Sequence, residues 1–395
     1  MRLRSMIEHA KKQLLACTTI AAISVVSTSP VNAQQKEGFI PEVEISLGED
    51  DNIYRTSDSI SDSIINVSPT MTLTELYGKF KLNAQYKGSY NFYSDFDELD
   101  YQDHSLSVSA QTSHSARFSS EILVSYKDVI EQPGSTNAIT AEINEFNQTS
   151  EGRLLVSGAY GTRDSIGQIV VSFDKTVRGY DNNEQSFRDY DTNKFTSTFF
   201  YRAAPKTRFL FEASTSDLAY DNTEPFDLSS TQDVLLAGVE WTATAKTTSV
   251  FKIGYQDVDY KSDDVEDIQG LSYFLDMYWK PNTYSTVRIG ASRATRESAE
   301  QSVGGFISTQ YGVGVEHEFT SVTKLDVNLS FIEDDIASSG DRNDESTELK
   351  VKFVYAPKYW LKVFAGFELH KRDSSFEIYN FDANVYRLGV IASFD

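Results

Sequence analysis

From Phe39 to the C-terminus, apolar and polar side chains alternate with a period of two. Phe80, Leu82, Ala84 and Tyr86 oppose Lys79, Lys81, Asn83, Gln85 and Lys87. Leu325, Val327, Leu329 and Phe331 oppose Lys324, Asp326, Asn328 and Ser330, and Leu349, Val351, Phe353 and Tyr355 oppose Glu348, Lys350 and Lys352. Successive side chains of a strand point to opposite faces, so each run predicts a strand with one greasy and one wettable side. About eighteen such segments of roughly nine to sixteen residues follow one another, the length that crosses a bilayer when tilted. The stretch Glu142 to Phe195 is the least regular, with Leu154 beside Leu155 and Val170 beside Val171, so sixteen strands is the alternative count.

The connections alternate short and long. Short ones fall at Thr74 to Tyr77, Ser113 to Ala116, Ala204 to Lys206, Thr244 to Thr247, Lys280 to Thr283, Thr320 to Thr323 and Ala356 to Lys358. Longer polar stretches lie between them, among them Gly48 to Asp58, Val129 to Glu142, Thr295 to Gly305 and Glu333 to Glu345, and none greatly exceeds the others. Tight turns at one end and large loops at the other characterise outer-membrane barrels. Aromatics near strand ends, Trp241, Tyr255, Tyr273, Trp279, Phe319, Tyr355 and Phe367, would supply interfacial girdles. The predicted fold is all-β: a transmembrane, antiparallel, up-and-down barrel from residue 34 to 395, with a wet lumen and no residues left for a plug domain.

Composition agrees. Tyr 22 and Phe 25 against only Pro 8 suit strands, and no apolar run reaches the length of about 18 that a membrane helix needs. Residues 1–33 read as a secretory signal peptide cut near Ala33: Arg2, Arg4, Lys11 and Lys12 precede the apolar Leu14 to Val26, and Val31-Asn32-Ala33 offers small residues for cleavage. A lipoprotein signal ending at Cys17 is the alternative, although the apolar core follows that cysteine instead of preceding it. With the leader gone, the only cysteine is gone too, and thiolate chemistry with it.

The chain carries a net charge of -22, which excludes nucleic-acid binding through the overall field. Placing every strand's polar face inside gives a nearly balanced lumen, and the acidic excess falls in the long loops, as at Glu49 to Asp51, Asp263 to Asp267 and Glu333 to Asp335. Acidic loops would keep the outer end soluble and share divalent cations with lipopolysaccharide phosphates; the alternative is an acidic mouth that repels anions. No calcium-loop pattern or other metal site is legible, and no cofactor is implied.

Hydrolase chemistry finds no support. His104 and His114 are each followed two residues on by an apolar residue, not by the serine a barrel phospholipase needs, and Asp103-His104 is the one local candidate for a protease pair. His317 and His370 sit on the lipid-facing phase. The reading is non-enzymatic.

The terminal run Tyr386 to Phe394 places Arg387, Gly389, Ala392 and Phe394 at the spacing of a polar residue, a glycine, an apolar residue and a final aromatic. It resembles the C-terminal signal read by the bacterial barrel-assembly machinery, with two departures: Ala392 is small for its place and Asp395 follows the aromatic. Pro41, the run Gly48 to Thr56 with Asp50-Asp51-Asn52 and Tyr54-Arg55, and Ser68-Pro69 resemble the β-barrel porin type 2 family of outer-membrane proteins encoded with exopolysaccharide or capsule systems. That resemblance implies passage of a secreted polysaccharide, with a periplasmic export protein as partner; outer-membrane lipid and lipopolysaccharide are the partners expected from the barrel and its acidic loops. On this reading Lys79, Lys81, Lys87, Arg208, Lys350 and Lys352 are the candidate lumen contacts for an anionic sugar, and Phe274, Tyr278 and Phe364 the rings for stacking. A general diffusion porin and a structural or adhesive barrel closed by its loops are the alternatives.

Overall fold

The computed structural model describes residues 37–138, 145–244, 246–299, 303–336 and 342–394; the signal-peptide expectation lies outside them. Eighteen strands run in chain order. The first six are β1 (Gly38–Asp50), β2 (Asp62–Tyr77), β3 (Phe80–Tyr93), β4 (Tyr101–Ser113), β5 (Phe118–Ile130) and β6 (Gln148–Tyr160). The next six are β7 (Gly167–Tyr180), β8 (Tyr190–Ala204), β9 (Thr207–Tyr220), β10 (Ser230–Thr244), β11 (Thr247–Tyr260) and β12 (Ile268–Trp279). The last six are β13 (Ser285–Glu297), β14 (Gly305–Thr320), β15 (Thr323–Ile336), β16 (Arg342–Lys358), β17 (Leu361–Ser374) and β18 (Phe381–Ser393). Each pairs antiparallel with its neighbours in sequence, and β1 pairs with β18 from Glu42↔Ser393 to Asp50↔Val385, so the sheet closes. The alternative of sixteen strands falls away: the irregular stretch resolves into β6 and β7 in continuous register from Thr149↔Tyr180 to Tyr160↔Ile169.

The pleat sorts side chains as the alternation predicts. Ile45 and Leu47 are 47% and 62% exposed while Ser46 between them is 3% exposed, so the apolar set faces outward, where lipid replaces water. Trp241, Trp279, Phe319 and Tyr355 are outward near the short-turn end. Among the described residues no helix is long and apolar enough to cross a membrane; the crossing is made by strands.

Two turn placements change. Thr74 to Tyr77 belongs to β2, and the turn is Gly78-Lys79, with Gly78 at φ +59, the left-handed backbone that a two-residue hairpin requires. Ala356 to Lys358 likewise continues β16, and Tyr359-Trp360 make the turn. The long polar stretches are also shorter as loops than as sequence, because the strands climb past the apolar band. Glu333 and Glu345 are direct cross-strand partners in β15 and β16, both exposed on the outer face.

The largest departure is the connection between β5 and β6, residues 131–147. At seventeen residues it clearly exceeds every other, overturning the expectation of even loops.

Candidate functional site

Residues 131–138 of the β5–β6 connection reach across the barrel mouth. Its near end is tied to β8's side by Arg188, whose guanidinium donates to Glu131 at 2.6 and 3.0 Å. Its tip reaches the opposite wall: the Thr136 hydroxyl bonds Asp334, Arg342 donates to the Thr136 carbonyl at 3.3 Å, and Arg372 donates to the Gly134 carbonyl. Gly134 sits at φ +75, and a Cβ there would fall 2.6 Å from the Phe381 ring. Bulkier residues therefore cannot seat the tip.

The upper end of the β13–β14 hairpin bends inward to meet it. β12 and β13 pair only from Tyr273↔Arg293 to Trp279↔Val287. Above that point β13 leaves the wall. The Thr295 N–H donates to the Gln256 side chain at 3.2 Å, the Tyr220 hydroxyl donates to Glu297 at 3.3 Å, and the Tyr260 ring leaves no room for a side chain at Gly304. Gln256, Tyr220 and Tyr260 all face the lumen, so Thr295, Glu297 and Gly304 lie inside it.

Beneath these two elements is a cavity of about 940 Å³ that reaches the short-turn end, lined mainly by β3 to β11. Twelve bases line it: Lys79, Lys81, Arg117, Lys127, Arg153, Arg163, Arg178, Arg188, Lys194, Arg208, Lys252 and Arg296. Six acids accompany them: Glu121, Glu151, Asp174, Glu212, Glu240 and Glu297. Arg153 pairs with Asp174, Lys252 with Glu212 at 2.7 Å, Arg163 and Arg208 with Glu240, and Lys127 with Glu151 at 3.2 Å. Among the described residues no carboxylate pairs with Lys79, Lys81, Arg117, Arg178, Lys194 or Arg296. A strongly acidic protein thus encloses a basic cavity. The expectation of a balanced lumen averaged two unlike arcs, because alternation assigns a face but not a position around the circumference.

The other arc is zipped by ion pairs. Lys352 meets Glu44 and Lys362 meets Glu42, both at 3.2 Å; Lys350 lies 3.4 Å from Glu348, and Arg387 3.3 Å from Glu368. His370 also faces inward here, 3.4 Å from Glu368, and not toward lipid as its phase in the sequence suggested.

The candidate contacts are therefore dispersed. Lys79, in its turn, and Lys81 line the basic cavity together with Arg208, which also donates to Gln168 at 2.6 Å and lies 4.2 Å from the Phe200 ring. Lys87 is exposed on the inner face of β3, outside that cavity. Lys350 and Lys352 belong to the zipped arc, where Lys352 covers the Phe364 ring at 3.8 Å. Phe274 and Tyr278 face inward beneath Lys252 and Arg288, each 5.7 Å away. Asp103 and His104, as neighbours on β4, point to opposite faces; His104 meets the Tyr86 hydroxyl at 2.9 Å outside. They cannot act as a pair. Arg178, Lys194 and Glu297 were not singled out in the sequence, since the first two fall in the irregular stretch; the alternation Asp174, Thr176, Arg178, Tyr180 was the available signal.

The profile of the family described as "Putative beta-barrel porin 2" matches residues 39–394. The chain belongs to that family. Its porin-like barrel is an outer-membrane architecture, and solved structures similar to it are outer-membrane barrels. One is the outer membrane protein opdK from Pseudomonas aeruginosa, at 9% identity and a TM-score of 0.49, covering 90% of this chain and 98% of that one. Another is the siderophore receptor PirA from Acinetobacter baumannii, at 10% identity and a TM-score of 0.43, covering 91% and 81%. Likeness at this level concerns the shape of the barrel alone. No curated protein matches the chain.

Proposed function

We propose that this family member is a passive outer-membrane channel, narrowed by its own loops instead of a plug, whose lumen favours anionic solutes. The twelve bases against six acids on the cavity carry this reading. Fixed charge along a narrow, partly dehydrated path raises the local concentration of the opposite ion, and half of these bases have no carboxylate partner among the described residues. The acidic excess does not oppose this, because residues such as Glu333 and Glu345 face the outside of the barrel.

A second reading, export of an acidic exopolysaccharide, draws on the same basic wall and on the family resemblance. It takes the polymer past the β5–β6 connection, whose tip at Gly134 and Thr136 is bonded to β15, β16 and β17. A barrel held shut by its loops is the remaining alternative.

Purified protein in planar bilayers under a potassium chloride gradient tests the first reading. The reversal potential should report chloride preference, and Lys194→Glu combined with Lys81→Glu should move it toward potassium. A cation-selective wild type overturns the proposal, and absence of current favours the closed barrel. For export, a strain lacking the protein should lose secreted polysaccharide; unchanged yield removes that reading.

A further inference from the structure

At the extracellular end of the cavity the ion-pair rule of the lower wall breaks down. Midway up, Asp174 is held by Arg153 and Glu212 by Lys252. Higher up, Arg178 of β7 and Glu297 of the infolded β13–β14 hairpin line the same cavity within electrostatic reach of each other, yet no ion pair joins them. Arg178 hydrogen-bonds the phenol of Tyr190, its direct cross-strand partner, and Tyr190 is in turn opposite Tyr220. The Tyr220 hydroxyl takes one Glu297 oxygen at 3.3 Å; the other accepts nothing from the described residues. Charges drawn out of bulk water are normally paired, so a guanidinium and a carboxyl group that line one cavity without pairing among the described residues invite a group that bridges them.

The neighbouring side chains are themselves engaged. The Tyr180 ring lies 5.0 Å from the Arg178 guanidinium and 4.1 Å from that of Arg188. Arg188 cannot move to serve Glu297 because both its terminal nitrogens are spent on Glu131. The Tyr190 and Tyr220 rings, each bonded to one of the two groups, pack 5.5 Å apart in the cavity lining.

We infer that Arg178 and Glu297 form a recognition site for a zwitterionic solute, an α-amino acid or short peptide, at the outer end of the lumen. The inference rests on the channel reading above and names the substrate of that channel. The solute's carboxylate takes the guanidinium, where two parallel N–H donors fit a planar oxyanion. Its ammonium takes the unused Glu297 oxygen, beside the Tyr220 face that attracts a cation. A simple anion meets Glu297 as a repulsion, and a simple cation meets Arg178 and the basic wall below. Past the site, the carboxylate end is led down the basic wall.

Zwitterions carry no net current, so occupancy is read as block of the potassium chloride current through the full-length mature protein in a planar bilayer at neutral pH. The probes are L-phenylalanine, N-acetyl-L-phenylalanine, which keeps only the anion, and L-phenylalaninamide, which keeps only the cation, with sucrose as a neutral polyol. L-Phenylalanine should block at about tenfold lower concentration than either derivative, the size of one lost charge-assisted hydrogen bond. Arg178→Gln should make L-phenylalanine no better than the amide, and Glu297→Gln no better than the acetylated form. Equal block by the three probes, or block by sucrose at the same concentration, overturns the site. A wild type blocked best by the N-acetyl anion overturns it while leaving the anion channel standing; a protein with no current overturns both. The wild-type comparison decides even if a variant fails to assemble, which its migration before and after heating reveals.

Discussion

Asn137 and Glu297, 160 positions apart, meet in the middle of the barrel: the Asn137 amide donates to the Glu297 carbonyl at 2.9 Å and its oxygen accepts the Ala299 N–H at 3.0 Å. One side chain thereby does for the infolded hairpin what a neighbouring strand would do, satisfying a backbone donor and acceptor stranded when β13 left β12. The two elements that narrow the lumen are one mechanical unit, joined at this amide.

Asn137→Ala should release the β5–β6 connection from the hairpin while the barrel stays intact. Two hydrogen bonds of roughly 0.5–1.5 kcal/mol each are lost from an equilibrium between seated and displaced loop. That is enough to raise the displaced population about tenfold. Single-channel recordings should show larger or more frequent openings, with the midpoint of thermal unfolding unchanged. Identical conductance in variant and wild type would mean that this contact does not limit flow.

Gly389 gives the terminal strand a physical reason for its glycine. A Cβ there would fall 2.6 Å from the Phe364 ring and 2.7 Å from the Ile45 carbonyl oxygen of β1, on the seam that closes the barrel. Gly389→Val should therefore block closure, measured as loss of the compact, heat-modifiable species on electrophoresis. Adding Phe364→Ala removes the ring but not the backbone oxygen, so rescue should be partial. Full rescue would show the seam to be more yielding than this geometry allows.

Asp344 is buried at 1% exposure beneath the loop tip, bonded through both carboxylate oxygens to Arg342 and at 2.7 Å by the Ser374 hydroxyl, with Arg372 3.8 Å away. Asp344→Ala would strand buried guanidinium charge at a cost of about 3–5 kcal/mol, whereas the pair itself is worth much less against an apolar replacement. Urea unfolding in detergent should report the loss. Asp344→Asn, which keeps an acceptor for Arg342, should lose less; equal losses would mean that charge is not what matters there.

The barrel was legible because its code is local: Phe80 to Lys87 declares its two faces without reference to any other strand. The lumen was less so. Alternation sends both Lys352 and Arg178 inside, but only register and circumference decide that Lys352 meets Glu44 while Arg178 pairs with no carboxylate among the described residues. The crossing loop was hidden for a related reason. Gly134, Thr136 and Asn137 read as ordinary turn residues, and their partners Arg372, Asp334 and Glu297 lie 160 to 238 positions away. The stretch Glu333 to Glu345 was taken for loop because charge suggests water, whereas β15 carries Glu333 to Asp335 and β16 carries Asp344 and Glu345.

The family-like turn after β1 makes the final prediction. β1 and β18 share nine register pairs, against thirteen for β1 and β2, so the seam is the less extensively paired flank of β1. Just above its last pair, Asp51 and Asn384 bond three times: the Asn384 N–H and amide donate to the Asp51 carboxylate at 2.6 and 2.9 Å, and the Asp51 N–H donates to the Asn384 carbonyl at 3.1 Å. Asn52, fully buried, donates to the Asp382 carbonyl at 2.9 Å and the Thr56 carbonyl at 2.8 Å. These contacts extend the ladder where the strands have run out, using side chains for missing backbone partners. Asp51→Ala and Asn384→Ala should each destabilise the folded barrel by about 1–2 kcal/mol, and the double variant by well under their sum, since each removes the same contact. Denaturant unfolding of the four proteins measures the coupling. Strict additivity would show that the two residues act separately and that the seam is held by its nine pairs alone.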